Sequence, residues 1–343
     1  MKTLPKRILA IRLSAMGDVA IIVPAIDAMR RQYPETELYV LTNKVYAPFF
    51  DNINGVHFIG IELKNYNGLR GLYKLYKELK VYNFNLIADL HNVIRSKIIR
   101  LFFKMSGVET KFIDKGRKEK KALTCKTNKQ FVQLQTSAER YADVFRASGF
   151  DLKLNFKSIY TNNIILSQKV KDVIKVDRPL IGIAPFAKHI GKIYPLKKME
   201  DVVKYYNDKE LQIFLFGGAS DICILDMWAS KYKNCTLLVG KLNLSEELQL
   251  ISLLNVMLTM DSGNMHLASL VNTPVVSVWG ATHPYAGFYG WGQNPENIVQ
   301  IKLNCRPCSI YGNKTCYRHD YACLNKISAE MIIEKINHVL ISK

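Results

Sequence analysis

At 343 residues, 48% hydrophobic and 22% charged, the chain has room for two packed domains and an ordinary globular composition. No apolar run nears the roughly 20 residues that span a bilayer. Residues 1–7 lack a signal-peptide core, and seven cysteines, an odd number, argue against a disulfide framework, so a cytoplasmic protein is expected. The net charge of +19 is uneven. Residues 1–170 hold 29 Lys and Arg against 14 Asp and Glu, while residues 171–343 hold 19 against 15. A basic first half points to nucleic acid, an anionic membrane or an anionic substrate.

In chain order, residues 8–13 form a β-type run and 18–31 carry helical spacing. Further strands are predicted at 38–42, 56–61 and 86–90, with amphipathic helices at 69–82 and 95–105. The charge run 115–121 reads as a mobile loop, and 130–147 as one long helix ending near Gly149. The irregular stretch 151–178 then leads into a second alternation. Strands are predicted at 180–185, 211–216, 236–239, 256–260 and 275–279, with helices near 198–206, 221–232, 245–254 and 265–271. An amphipathic helix capped by Ser328 closes the chain over 328–341. Such alternation predicts an α/β protein with parallel sheets covered by helices.

The chemistry-bearing residues sit where strands end. Ser14-Ala15-Met16-Gly17-Asp18 follows the first strand but has neither dinucleotide glycine spacing nor the ending of a phosphate loop. Asp18 is either a helix cap or a carboxylate placed to take a proton from an acceptor hydroxyl. Pro185-Phe186-Ala187-Lys188, then Lys192-Ile193-Tyr194-Pro195, follows the strand that opens the second half. A lysine there is either solvated or a point charge for a diphosphate. After Phe216-Gly217-Gly218, Ser220 and Asp221 are suited to capping a helix or binding a ribose. Asp261-Ser262-Gly263, with His266 on the helix that follows, has the makings of an anion site.

Cys305-Arg306-Pro307-Cys308 with Cys316 and Cys323 lacks a standard zinc spacing. Free thiols or a redox-labile loop are the preferred reading over a metal site. Tyr66, Tyr73, Tyr76 and Tyr82 interleave with Lys64, Lys74, Lys77 and Lys80 as either a solvated helix face or a contact with an anionic surface.

Together these motifs resemble glycosyltransferase family 9, the ADP-heptose–lipopolysaccharide heptosyltransferases. The resemblance is carried by Asp261-Ser262-Gly263 with His266-Leu267-Ala268, then Thr273-Pro274-Val275-Val276 and Gly280-Ala281-Thr282-His283-Pro284. It extends to Ser14–Asp18, to Lys192 with Tyr194-Pro195, and to the Cys305–Cys308 region. Phe186, Tyr194 and Ala281 depart from the family's usual Gly, Trp and Pro.

The resemblance implies the GT-B fold, two Rossmann-like domains facing across a cleft, with the C-terminal helix crossing back to the first. It implies an acceptor domain over 1–165, a nucleotide-sugar domain over 176–325 and that helix over 326–343. Asp18 would be the catalytic base. Lys192, Asp261, Ser262, Gly263 and His266, with Ser220 and Asp221 more loosely, would bind the donor. Ser14, Gly17 and Arg95 would lie on the acceptor side.

The implied reaction is inverting, metal-independent transfer of a heptose or related sugar from an ADP-sugar to an anionic lipopolysaccharide core or lipid A acceptor. No cofactor and no nucleic-acid partner are expected, and the protein would sit peripherally on the anionic inner membrane. A nucleotide-sugar epimerase or hydrolase, or a basic nucleic-acid-binding protein, are the alternatives, although no nucleic-acid-binding motif is present.

Overall fold

Ile8, Leu9, Ala10 and Ile11 are fully buried, and around them the first half builds one parallel sheet. The computed structural model describes residues 4–161, 164–175 and 178–342. The first half runs β1 (Arg7–Ile11), α1 (Met16–Gln32), β2 (Glu37–Asn43), β3 (Val56–Ile61), α2 (Gly68–Lys80), β4 (Leu86–Asp89), α3 (Ile94–Met105) and β5 (Glu109–Phe112). Its five strands lie in the order β3-β2-β1-β4-β5. Leu72, Leu75 and Leu79 of α2 pack with Ile99 and Phe103 of α3 against Leu9, Ile11 and Ile87 of the sheet. Strands covered by helices read as unbroken apolar runs, which is why β1 and β4 are legible in the sequence. Strand β5, Glu-Thr-Lys-Phe, has no such run and is held by its pairing with β4.

Three helices come next, α4 (Arg117–Leu123), α5 (Ser137–Arg146) and α6 (Gln168–Val173). The second alternation is β6 (Leu180–Ala184), α7 (Leu196–Asp208), β7 (Gln212–Leu215), α8 (Ile222–Lys231), β8 (Cys235–Leu237), α9 (Leu244–Leu253), β9 (Val256–Met260), α10 (Gly263–Leu270) and β10 (Val275–Val278). The chain ends with β11 (Ile298–Val299), α11 (Ala322–Asn325) and α12 (Ala329–Ile341). These six strands are also all parallel, in the order β11-β10-β9-β6-β7-β8. In each sheet the chain starts inside and builds outward both ways. The points where direction reverses lie between β1 and β4 and between β6 and β9, and ligands collect at the carboxyl ends of strands at such points.

Two sequence expectations are corrected. The charge run 115–121 is helical from Arg117 onward rather than a loop, with Gly116, at a left-handed φ of 60°, as the N-cap of α4. The long helix expected over 130–147 is only α5, whose N-cap Thr136 accepts a hydrogen bond from Glu139 N.

The chain divides into two units, residues 1–115 with 135–159 and residues 116–134 with 160–343. The inserted segment is tied to the second unit by Lys129, whose ammonium lies 2.9–3.3 Å from the carbonyl oxygens of Asn304, Cys305, Arg306 and Pro307. Leu134 N adds a bond to Tyr285 O, and Leu123 and Leu134 pack on Ala286. The expected boundary at 176 lies outside the described residues.

The terminal helix is also part of the second unit. Ile332, Ile336 and Val339 of α12 share a core with Ile181, Tyr194, Val202 and Tyr206. Tyr206 Oη donates to Ile333 O and bonds Asn337 Oδ1. Its apolar stripe is buried in that core.

Candidate active site

Each unit gathers its chemistry-bearing side chains at the switch point of its own sheet. In the first unit, Arg12 directly follows β1 and is buried. Its Nη2 lies 2.6 Å from Asp18 Oδ2, and its Nη1 donates to Leu90 O at 3.0 Å, just beyond β4. The Tyr141 ring lies 5.7 Å from the guanidinium. Asp18 stands in the first turn of α1 but does not cap it: the N-cap is Ala15, with no side-chain cap bond. Its partner is Arg12 instead.

Beside this pair, His91 Nδ1 accepts from Leu13 N at 3.3 Å, which leaves the proton on Nε2. Burial, then the charges of Arg12 and Lys115, hold the His91 imidazole down to about 3 against the upward pull of Asp18. The ring is therefore neutral at physiological pH. Asp89 builds the turn that carries it, accepting from His91 N and Asn92 N while meeting Arg100 at 3.0 Å. Burial, and then the Asp18 charge, raise the Tyr46 hydroxyl. Ser14, on the loop before α1, and Gly17, in its first turn, are half-buried, and Arg95 is exposed in the first turn of α3.

In the second unit, Lys192 closes a 3-10 turn (Ile190–Lys192) beyond β6, and Asp261 follows β9. The two meet at 3.0 Å between Lys192 Nζ and Asp261 Oδ2. Three glycines hold the lysine's turn in place. Ala281 N donates to Gly191 O, and a Cβ on Gly280 would lie 2.6 Å from that same oxygen. A Cβ on Gly312, whose φ is +74°, would lie 2.5 Å from Lys192 Cγ.

Ser262 is the N-cap of α10 but makes no capping bond; its hydroxyl meets that of Thr259 at 3.0 Å instead. The first N–H groups of α10 are thus left to another acceptor, and helix N-termini favour anions. Gly263 begins this helix and His266 is buried one turn in.

Other candidates turn out differently. Asp221 is a capping residue, with one carboxylate oxygen accepting from Gly218 N at 2.8 Å and the other from Ser220 Oγ at 3.1 Å. Ser220 and Lys188 are exposed, and Tyr76 is core rather than surface.

The Cys305–Cys308 loop is organised by Arg306, whose buried guanidinium donates to the carbonyls of Trp279, Gly280, Thr282 and Ile301. All seven cysteines are free, and burial pushes the Cys323 thiol up to about 11. Among the described residues no three His, Cys, Asp or Glu side chains are grouped to hold a metal ion.

Sequence reasoning missed Arg12 and His91, although a charge inside the apolar run Ile8–Leu13 was a usable signal. It also missed Glu247 of α9, whose carboxyl burial raises to about 7.

The profile of glycosyltransferase family 9 (heptosyltransferase) matches residues 72–317. The lipopolysaccharide core heptosyltransferase OpsX of Haemophilus influenzae is 24% identical over 317 residues, covering 87% of this chain and 85% of its own. A family 9 glycosyltransferase from Veillonella parvula superposes with a TM-score of 0.75 at 17% identity, covering 100% of this chain and 99% of that one. E. coli heptosyltransferase WaaC with ADP-2-deoxy-2-fluoro heptose superposes with a TM-score of 0.67 at 16% identity, covering 97% and 99%. These likenesses show the GT-B fold. With the family profile spanning most of its length, the chain belongs to glycosyltransferase family 9 and is a glycosyltransferase.

Proposed function

We propose that this enzyme transfers a heptose, or a closely related sugar, from an ADP-sugar to a hydroxyl of an anionic lipopolysaccharide core or lipid A acceptor. The observation that carries this reading is the Lys192–Asp261 pair beside the uncapped first turn of α10, a cation and free N–H groups suited to a diphosphate. The names of its relatives supply the sugar and the acceptor class.

Asp18 takes the acceptor's hydroxyl proton as that oxygen attacks the anomeric carbon. The new C–O bond forms while the bond to the diphosphate breaks, and attack opposite the leaving group inverts the carbon. Charge accumulates on the departing diphosphate, so Lys192 and the N–H groups at Gly263 and Asn264 bind it more tightly in the transition state than in the ground state. They take the place of a metal ion. Asp261 holds the lysine in position. His266 and Ser220 belong to the donor side, with Asp221 fixing the turn that carries Ser220. Ser14, Gly17 and Arg95 belong to the acceptor side. The basic first half attracts the anionic acceptor and the anionic inner-membrane surface, where the protein works from the cytoplasmic side. No helix among the described residues is long and apolar enough to cross a membrane.

Thermal stabilisation by ADP, UDP and GDP tests the donor, because a ligand that binds only the folded state raises its apparent stability. ADP is expected to stabilise most, and equal or absent shifts from all three would sink the ADP-sugar assignment. Asp18→Asn should abolish transfer while keeping ADP stabilisation, and normal turnover in that variant removes Asp18 as the base. Product analysis with and without acceptor separates transfer from epimerisation or hydrolysis.

A further inference from the structure

Helix α3 is amphipathic on two opposite sides. Ser96, Ile99 and Phe103 are its buried face, with Ile99 and Phe103 in the core of the first sheet. At 3.6 residues per turn, Ile94, Leu101 and Met105 line up on the far side, beside Ile98, which is partly buried against the core. Ile94, Leu101 and Met105 are 77%, 53% and 77% exposed. One apolar stripe docks a surface helix, so the outward one is not required by the fold. Contiguous exposed apolar surface of this kind marks a contact with a partner or a membrane.

The charges on the helix indicate which. Its sequence, Ile-Arg-Ser-Lys-Ile-Ile-Arg-Leu-Phe-Phe-Lys-Met, holds four cations and no acid. Arg100 is engaged by Asp89 and stacks 4.1 Å from the Phe112 ring centre. Lys97 and Lys104 are exposed along one edge of the apolar stripe and have no acidic ion-pair partner among the described residues. The surface continues onto α2, where Tyr73 meets Phe102 edge-on at 5.4 Å and Leu69, Lys74 and Lys77 are exposed. A second copy of the same face would set lysine against lysine. An anionic bilayer matches both the apolar stripe and its cationic edge.

We propose that the outward face of α3 docks this protein onto an anionic bilayer. The helix lies in the plane of the membrane, with Ile94, Leu101 and Met105 at the acyl boundary and Lys97 and Lys104 against lipid phosphates. The inference rests on the reading that the acceptor is a membrane glycolipid, and it names the surface that brings the enzyme to it. Helix α3 begins just beyond β4, at the end of the first sheet that carries Asp18 and His91. Docking through its first turn therefore brings that end of the first unit to the lipid surface.

The test is co-sedimentation of the full chain with vesicles of phosphatidylcholine alone or with one quarter phosphatidylglycerol, at low and high salt. Wild type should bind the anionic vesicles and release at high salt. The triple variant Ile94→Ser, Leu101→Ser, Met105→Ser should lose at least tenfold in partition. Lys97→Ser with Lys104→Ser should lose about 25-fold at low salt, roughly fivefold for each cation. Because these residues are exposed, both variants should keep the wild-type melting temperature and the wild-type response to ADP.

Wild type that ignores anionic vesicles overturns the membrane reading itself and this proposal with it. Variants that bind as wild type does overturn the assignment to α3 and leave membrane association standing. A triple variant that instead converts a soluble dimer to a monomer makes the stripe a contact between copies, and that also overturns the proposal.

Discussion

Replacing Arg12 by Met removes one charge and keeps an unbranched stem in the same slot. The Arg12 side chain is 7% exposed and that of Asp18 36%, with 2.6 Å between Nη2 and Oδ2. A hydrogen bond between charged groups is worth about 1.5–3 kcal/mol. Asp18 is partly solvated and water recovers some of that, so about 1–2 kcal/mol of positioning is at stake. Lost from the transition state, this is roughly a 5- to 30-fold fall in kcat. Stability should fall by less than the about 3–5 kcal/mol of breaking a fully buried pair, because the Asp18 carboxylate left behind is partly solvated.

The assay is steady-state transfer with donor and acceptor varied separately, in wild type, Arg12→Met, Asp18→Asn and the double variant. Arg12→Met should lower kcat with little change in donor KM, and should add nothing to the residual turnover of Asp18→Asn. Turnover of Arg12→Met within twofold of wild type would refute the reasoning. So would an undiminished loss from the same substitution in the Asp18→Asn background, since Arg12 would then act through something other than that carboxylate.

Lys192→Met leaves Asp261 unpaired in a site where it is only 6% exposed, and breaking a buried pair costs about 3–5 kcal/mol. Chemical denaturation should show that loss, and adding Asp261→Asn should restore most of it without restoring ADP stabilisation; an unchanged midpoint in Lys192→Met contradicts the pair. Glu247 titrates near 7 when folded against 4.5 for its ordinary value, so the stability it contributes is complete below pH 4.5 and is lost as pH rises through 7. Glu247→Gln should therefore match wild type at pH 4 and exceed it by on the order of 3 kcal/mol at pH 8.5, and a gap that does not widen with pH argues against an unpaired buried carboxyl. His91 and His283 are held by burial near 3 and 4, below the usual 6.5, so stability is full above pH 6.5 and falls as pH drops toward those values. Denaturation series from pH 7 to 4 should lose up to roughly 1.4 kcal/mol per pH unit for each ring, and His91→Gln should flatten that slope.

Much of the fold was legible because β1, β4, β6, β9 and β10 are apolar runs broken by Gly, Asp or Pro. The same breaks exposed Asp18, Lys192 and Asp261 as residues at strand ends. What stayed hidden depended on partners. Strand β5 has no apolar period, and β11 is two residues long, so pairing alone makes them strands. Residues 116–134 read as a loop over 115–121 and the start of a helix over 130–147, both in the first domain, and only the bonds of Lys129 to the carbonyls of 304–307 tie the segment to the second unit. Asp221 was left between cap and ribose ligand, and only the structure shows its bonds to Gly218 and Ser220, which close the turn ahead of α8 without a side-chain cap on that helix.

Taken by itself, the sequence determined the kind and order of those elements that carry their own apolar period, because periodicity and chain breakers are properties of near neighbours. The tertiary structure decided which residues meet. Lys192 reaches Asp261 because β6 lies beside β9, and Arg12 spans from Asp18 to Leu90 because β1 lies beside β4. The amphipathic stripe of α12 was readable, but the sheet that buries it was not. Strand order is set by long-range packing, and no local pattern encodes it.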